Sequence, residues 1–242
     1  MGNRLDDEEE DFSTSRAWMV AEQIEARGID DAAVLAAMKM VPRECFVMAP
    51  FRSFAYADMP LPIPAGQTIS QPYVVAYMIS ALQVKAGDRV LEIGTGSGYA
   101  AAVLSRIARE VYTVERHEVL VQYARRRLAD LGYDNVWVHH GNGTLGWPEH
   151  APYDAILVSA GGPIVPPSLR RQLAVNGRLV MPVSSYPQHQ MLIRLTRHSE
   201  GKFTLEKLGP VAFVPLIGVE GWPEVTNTAE EDEDNLEVTS AA

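Results

Sequence analysis

Two carboxylates and three alternating glycines are the residues here best suited to chemistry. Glu92 stands two places before Gly94, and Gly96 and Gly98 follow at the same spacing. Glu115 closes a later apolar run, Val111-Tyr112-Thr113-Val114. Glycines let a backbone approach a ligand closely, because no Cβ intervenes and positive φ is open to them. A dinucleotide loop wants G-x-G-x-x-G with its pyrophosphate on a helix N-terminus. The third glycine here comes one residue too soon, and Glu92 would repel a pyrophosphate. That acid suits a ligand with a cationic amino-acid end, and S-adenosylmethionine carries both an ammonium and a sulfonium. Glu115 is placed to accept the two hydroxyls of a ribose. The plain alternative is that the glycines only make a tight strand-to-helix turn.

Ser70 offers a hydroxyl from Gln67-Thr68-Ile69-Ser70-Gln71-Pro72, just after the proline-rich stretch Met59–Gly66. Pro72 suits the first turn of a helix reaching Leu82, so Ser70 or Gln71 would sit at its cap. Capping alone would account for the serine; a hydroxyl aimed into a site is the other reading. His117, His139, His140, His150, His189 and His198 lack ligand spacing, which predicts no metal. Cys45 reads as a small apolar side chain. The chain contains no Walker loop and no Gly-x-Ser-x-Gly elbow.

The elements that must position these groups alternate in type. Val90–Ile93 reads as a buried strand and 100–107 as a helix. Then come strand 111–114, helix 118–131, strand 135–139, strand 154–159, helix 168–173, a turn at Asn176-Gly177 and strand 178–181. The loop Gly141-Asn142-Gly143-Thr144 falls at a strand's carboxyl end, where open α/β sheets bind ligands. This order predicts an α/β fold with a doubly wound, mostly parallel sheet. Segments 190–197 and 203–214, joined through Gly201, read as an antiparallel edge pair. Two helices, 13–28 and 31–40, precede the sheet as an N-terminal cap. Trp18, Met19, Ala21 and Ile24 form the uneven apolar stripe of the first. Arg125-Arg126-Arg127 reads as a solvated helix face.

The chain has 242 residues, 47% of them hydrophobic, and a net charge of −10. The acids crowd the two ends, leaving 18 acids against 20 bases between. A near-neutral body carries no electrostatic footprint for nucleic acid. Residues 1–12 and 223–242 are expected to be disordered, flanking one domain over 13–222. Within it, 13–84 would hold the cap and active-site loop, and 85–222 the cofactor-binding sheet. No apolar run approaches the ~20 residues that cross a bilayer. An acidic start without a signal core, and one cysteine, predict a cytoplasmic protein.

Several separated segments, in order, resemble one family: Val41-Pro42-Arg43-Glu44, Gly66–Pro72, Val90–Tyr99, Gly146-Trp147-Pro148 and Phe213-Val214-Pro215-Leu216. They look like protein-L-isoaspartate (D-aspartate) O-methyltransferases, and the likeness runs from about residue 15 to 218. The resemblance implies a Rossmann-like S-adenosylmethionine-dependent fold. It implies methylation of the α-carboxylate of isoaspartyl residues in damaged proteins or peptides, with collapse of the ester to a succinimide that partly returns to aspartate. It makes Ser70 the active-site serine. Glu92, Gly94 and Gly96 would hold the methionine end, Glu115 the ribose, and Asn142 and Gly143 the adenine. Ser70, Gln71, Thr95, Ser97 and Arg116 complete the implied cofactor set. Thr68, Ile69, Ser70, Ala160, Val214, Pro215 and Leu216 would line the peptide groove. The expected form is a monomer.

The sequence departs from that pattern at two points. Asn142 replaces the family's usual Asp, so its amide oxygen would accept from the adenine amino group without charge. Gly161-Gly162 replaces an alanine-rich run and would loosen the substrate pocket. Two rival functions remain open: a methyltransferase of a dedicated peptide, and a cofactor-binding module without turnover. The glycine spacing disfavours a third, a nicotinamide oxidoreductase.

Overall fold

The computed structural model describes residues 11–224, apart from 185, 187 and 188. The acidic segments 1–10 and 225–242, expected to be disordered, lie outside the described residues. Nine strands and six α-helices follow in chain order among them. They are α1 (Ser13–Trp18), α2 (Ala32–Met40), β1 (Leu61–Ile63), β2 (Gln67–Ile69), α3 (Pro72–Leu82), β3 (Arg89–Ile93), α4 (Tyr99–Ser105) and β4 (Glu110–Glu115). After these come α5 (Glu118–Asp130), β5 (Val136–His140), β6 (Tyr153–Val158), α6 (Pro167–Gln172), β7 (Leu173–Val183), β8 (Gln190–Ser199) and β9 (Lys202–Val211).

One seven-stranded sheet has the order β5-β4-β3-β6-β7-β8-β9. The first five strands are parallel, and β7, β8 and β9 pair antiparallel. The expected doubly wound sheet with its antiparallel edge is therefore present. Strand order reverses between β3 and β6, which opens a crevice at their carboxyl ends. Successive side chains point to opposite faces. Val90, Val111 and Leu157 face one core with α2 to α5, whereas Leu91, Tyr112 and Ile156 face a second core that includes Leu169 of α6.

The first helix departs from expectation. After α1 the chain widens into a π-helical turn at Met19–Ile24 and tightens over Glu25–Arg27, and Gly28 ends it at φ +92°. A π turn brings residues five apart onto one side. Met19 and Ile24 are both fully buried, while Trp18 is turned out at 56% exposure. Phe12, within the stretch expected to be disordered, is buried against Tyr56. β7 also begins earlier than expected, at Leu173. It runs through Asn176, which takes φ +64°, with an irregularity in its pairing to β6. A Cβ at Gly177 would come 2.9 Å from the carbonyl oxygens of Ala174 and Asp154, so the kink needs a glycine.

The arginine run on α5 is not wholly solvated. Arg127 Nε donates to the Cys45 carbonyl at 2.9 Å and Arg125 Nη2 to the Val138 carbonyl at 2.7 Å, tying α5 to the N-terminal cap and to β5.

Candidate active site

A cavity of about 390 Å³ opens at the strand reversal. Its floor is the turn after β3, where Gly94, Gly96 and Gly98 all take positive φ. Gly96 shows why: at φ +54° its N–H points at the Glu115 carboxylate and donates to Oε2 at 3.0 Å. The other oxygen of Glu115 accepts the His117 N–H at 3.0 Å. An acid that closes β4 is thus locked against the glycine turn after β3. Its remaining lone pairs still face the cavity it lines.

Glu92 is fully buried in β3 and lines the same cavity. Its Oε2 accepts the Thr113 hydroxyl at 2.6 Å, and Thr113 Oγ1 lies 2.6 Å from Thr95 Oγ1. Since Thr113 donates to the acid, Thr95 donates to Thr113. The parallel pairing of β3 with β4 sets Glu92 directly beside Thr113. The other oxygen, Oε1, is buried without a hydrogen-bond partner. Burial pushes the Glu92 pKa up to about 8, with the charge of Glu115 adding to the shift and the Thr113 bond opposing it. Once ionised, that orphaned oxygen beside a glycine turn is a ready acceptor for a cationic group, and a bound ammonium would itself favour the ionised form. The cavity therefore fits the ammonium end of S-adenosylmethionine better than any anion.

Ser70 lines the same cavity with Thr68 and Ile69, just after the β1–β2 hairpin. It does not cap α3. Gln71 takes the capping position without using its side chain there, and the Asp58 carboxylate accepts the Tyr73 N–H instead, at 3.3 Å. Among the described residues the Ser70 hydroxyl makes no hydrogen bond, while its carbonyl is held by Arg43 at 2.8 Å. Val214, Pro215 and Leu216 line it together with Ala160.

Of the sequence-derived residues, Thr68, Ile69, Ser70, Glu92, Gly94, Thr95, Gly96, Ser97, Glu115, Arg116, Gly143, Ala160, Val214, Pro215 and Leu216 line this one cavity. Gln71 and Asn142 do not. Gln71 Nε2 is turned to Asp58, bonding Oδ2 at 2.7 Å and the carbonyl at 3.1 Å. Asn142 Oδ1 is already taken by the Thr144 N–H at 3.0 Å and hydroxyl at 2.8 Å. The amide oxygen expected to meet an adenine amino group instead caps the turn Gly143–Leu145. Asn142 borders a neighbouring recess with Arg116, Trp222 and Glu224.

The glycine pair does not loosen the wall. Gly161 N–H donates to the Val214 carbonyl and its own carbonyl accepts the Leu216 N–H, both at 2.8 Å. Gly162 is likewise paired to Pro182 and Ser184. The Gln190 amide accepts from the Phe213 N–H at 2.7 Å and donates to the Phe213 carbonyl at 2.8 Å, like a rung of a strand. A Cβ at Gly161 would meet Gln190 Nε2 at 2.5 Å, so the absent side chain makes room for the amide. Thr113, Tyr99, His117 and Gln190 were missed in the sequence reading. The first two sit inside apolar runs and look like ordinary core.

The described residues hold no helix long and apolar enough to cross a membrane. The protein-L-isoaspartate(D-aspartate) O-methyltransferase (PCMT) family profile matches residues 14–221. A protein-L-isoaspartate O-methyltransferase of Pelobacter propionicus is 62% identical over 207 residues, covering 86% of this chain and 92% of its own. One from Rhodopseudomonas palustris is 57% identical, covering 91% and 90%. Among solved structures, a protein-L-isoaspartate O-methyltransferase superposes with a TM-score of 0.77 at 29% identity, covering 86% of this chain and 67% of its own. A Plasmodium falciparum beta-aspartate methyltransferase, solved with S-adenosyl-L-homocysteine, gives 0.71 at 28%, covering 84% and 98%. The chain belongs to the protein-L-isoaspartate(D-aspartate) O-methyltransferase family.

Proposed function

We propose that the protein transfers a methyl group from S-adenosylmethionine to the α-carboxylate of L-isoaspartyl residues in damaged proteins and peptides. The observation that carries this reading is the single cavity shared by the Glu92–Ser97 turn and Ser70. When bound, the cofactor supplies an electrophilic methyl group. Glu92 Oε1 would receive its ammonium, the Gly94–Gly96 backbone would hold its methionine end, and Glu115 would take the ribose hydroxyls. Gly143 and Arg116, which line the same cavity, would meet the adenosine part.

The accepting carboxylate is already ionised at neutral pH, since free carboxyls titrate near ~3.5. No general base is needed. The protein's work is alignment and removal of water. The Ser70 hydroxyl, which caps nothing, donates to one carboxylate oxygen and aims the other at the methyl group. Thr68, Ile69 and the Val214–Leu216 wall hold the peptide on either side.

One methyltransferase domain spans 13–222 in this reading, because the cap helices and the sheet share one apolar core. The lone Cys45 suits the reducing cytoplasm. The decisive assay offers an isoaspartyl peptide and its aspartyl twin of the same sequence. Methylation of the first alone is the expected result. Turnover of neither peptide, with tight cofactor binding, would favour a binding module or a dedicated peptide substrate.

A further inference from the structure

Arg43 stands out among the charged residues: it is fully buried, and among the described residues no carboxylate lies within ion-pair distance. It opens the tight turn Arg43–Phe46 after α2. Nε donates to the Ala55 carbonyl and Nη2 to the Ser70 carbonyl, both at 2.8 Å. Nη1 is buried without an acceptor. The guanidinium carbon lies 4.7 Å from the centroid of the Tyr99 ring. Tyr99 opens α4, directly after the glycine turn, and lines the cavity.

One planar group therefore touches both sides of the site. Its edge holds the backbone of the acceptor serine, and its central carbon lies over the ring of the first residue beyond the donor turn. We propose that Arg43 is a positioning residue, which fixes the Ser70 loop at a set distance from the glycine turn. The inference rests on the reading of Ser70 given above, and Arg43 acts through that residue. A fork of fixed geometry suits the task. Lysine keeps the charge but lacks the planar fork that here serves two carbonyls at fixed geometry. A buried, unpaired cation is costly to the fold, but removing it would orphan the Ala55 and Ser70 carbonyls, so thermal unfolding is read beside activity. A methylation rate depends steeply on alignment, since a misplacement of ~1 Å costs on the order of 100-fold.

The test compares Arg43→Met, Arg43→Lys, Ser70→Ala and the Arg43→Met/Ser70→Ala double variant. Thermal unfolding, S-adenosylhomocysteine affinity, and kcat and KM for an isoaspartyl peptide are measured for each. For Arg43→Met we expect kcat to fall roughly 10- to 100-fold, with affinity for S-adenosylhomocysteine within about twofold of the parent. Arg43→Lys recovers part of the loss. The double variant is no slower than Ser70→Ala alone, because the two substitutions remove the same alignment. A parental kcat in Arg43→Met, beside a slow Ser70→Ala, overturns this proposal while sparing the role of Ser70. A fast Ser70→Ala removes the reading of Ser70 and this proposal with it. A double variant slowed by the product of the two single effects also overturns it. Failure of both Arg43 variants to fold would assign the residue to stability and end the proposal.

Discussion

The Asp58 carboxylate accepts the Tyr73 N–H at 3.3 Å and so caps a helix that begins 14 residues further along the chain. The same group holds the Gln71 amide at 2.7 Å and Arg27 at 2.6 Å. Ser70 is thereby relieved of the duty its position suggests. Asp58→Ala should cost about 1 kcal/mol of stability from the lost cap, a Tm drop of roughly 2–4 °C in a domain this size. Ser70→Ala should leave Tm within a degree or so, because its hydroxyl supports nothing in the fold. Its kcat should fall roughly 10- to 100-fold with cofactor affinity unchanged. Calorimetry and steady-state kinetics on the two variants check the contrast. A serine variant that melts early would return the residue to capping.

Glu92 predicts a distinctive pH dependence. Burial raises its pKa from 4.5 to about 8. Between those values the folded protein keeps a proton that the unfolded chain has released. Stability therefore falls as pH rises through that window and levels off above 8. The loss attributable to this group is of the order of a few kcal/mol. Glu92→Gln stays neutral throughout and can still accept the Thr113 hydroxyl, so its contribution should be flat. Urea unfolding at intervals from pH 5 to pH 9, without cofactor, compares the two slopes. Parallel curves would mean that Glu92 is ionised in the empty protein.

Glu115 joins the ends of β3 and β4 and is the residue proposed to take the ribose hydroxyls. Glu115→Ala removes the acceptor of the Gly96 and His117 N–H groups. Cofactor affinity should weaken roughly 10- to 100-fold, the equivalent of about 1.4–3 kcal/mol. The kcat at saturating cofactor should change little, because the acid touches no reacting atom. Titration calorimetry and kinetics at saturation separate the two effects.

Gly161→Ala tests the wall formed by Val214–Leu216. The new methyl must displace the Gln190 amide, which is held by two bonds to Phe213. Overpacking of this kind costs about 1–3 kcal/mol. The Val214–Leu216 segment would shift with the amide, so KM for peptide should rise more than affinity for cofactor falls. A variant with parental Tm and KM would show that the amide can move freely.

The residues legible from sequence are those whose neighbours lie close along the chain. The run from Arg89 to Ser105 announces a strand, a turn and a helix by its own spacing, and the glycine interval separates it from a dinucleotide loop. The alternation of elements gave the sheet, and the late antiparallel pair followed from one glycine turn. What could not be read depends on distant partners. Asp58 lies in an irregular stretch and looks like any surface acid until the fold brings it to Tyr73. Thr113 looks like a β-branched strand residue, and only the register of β3 with β4 shows that its hydroxyl meets Glu92. Asn142 was expected to accept from an adenine. Its oxygen is consumed locally by Thr144, a competition with the backbone that short polar side chains often win. Gly161 reads as slack in one dimension and is a tight fit in three.

The strap from Phe213 to Trp222 carries a consequence for truncation of the chain. Gln190 and Gly161 grip its first half. Trp222 Nε1 donates to the Gly161 carbonyl at 3.0 Å, and Glu220 accepts the Ser168 N–H and hydroxyl at the start of α6, each at 2.8 Å. These ten residues are made after every strand of the sheet. A chain cut short before Phe213 could thus keep its strands and helices and yet lack the segment that walls one side of the cavity.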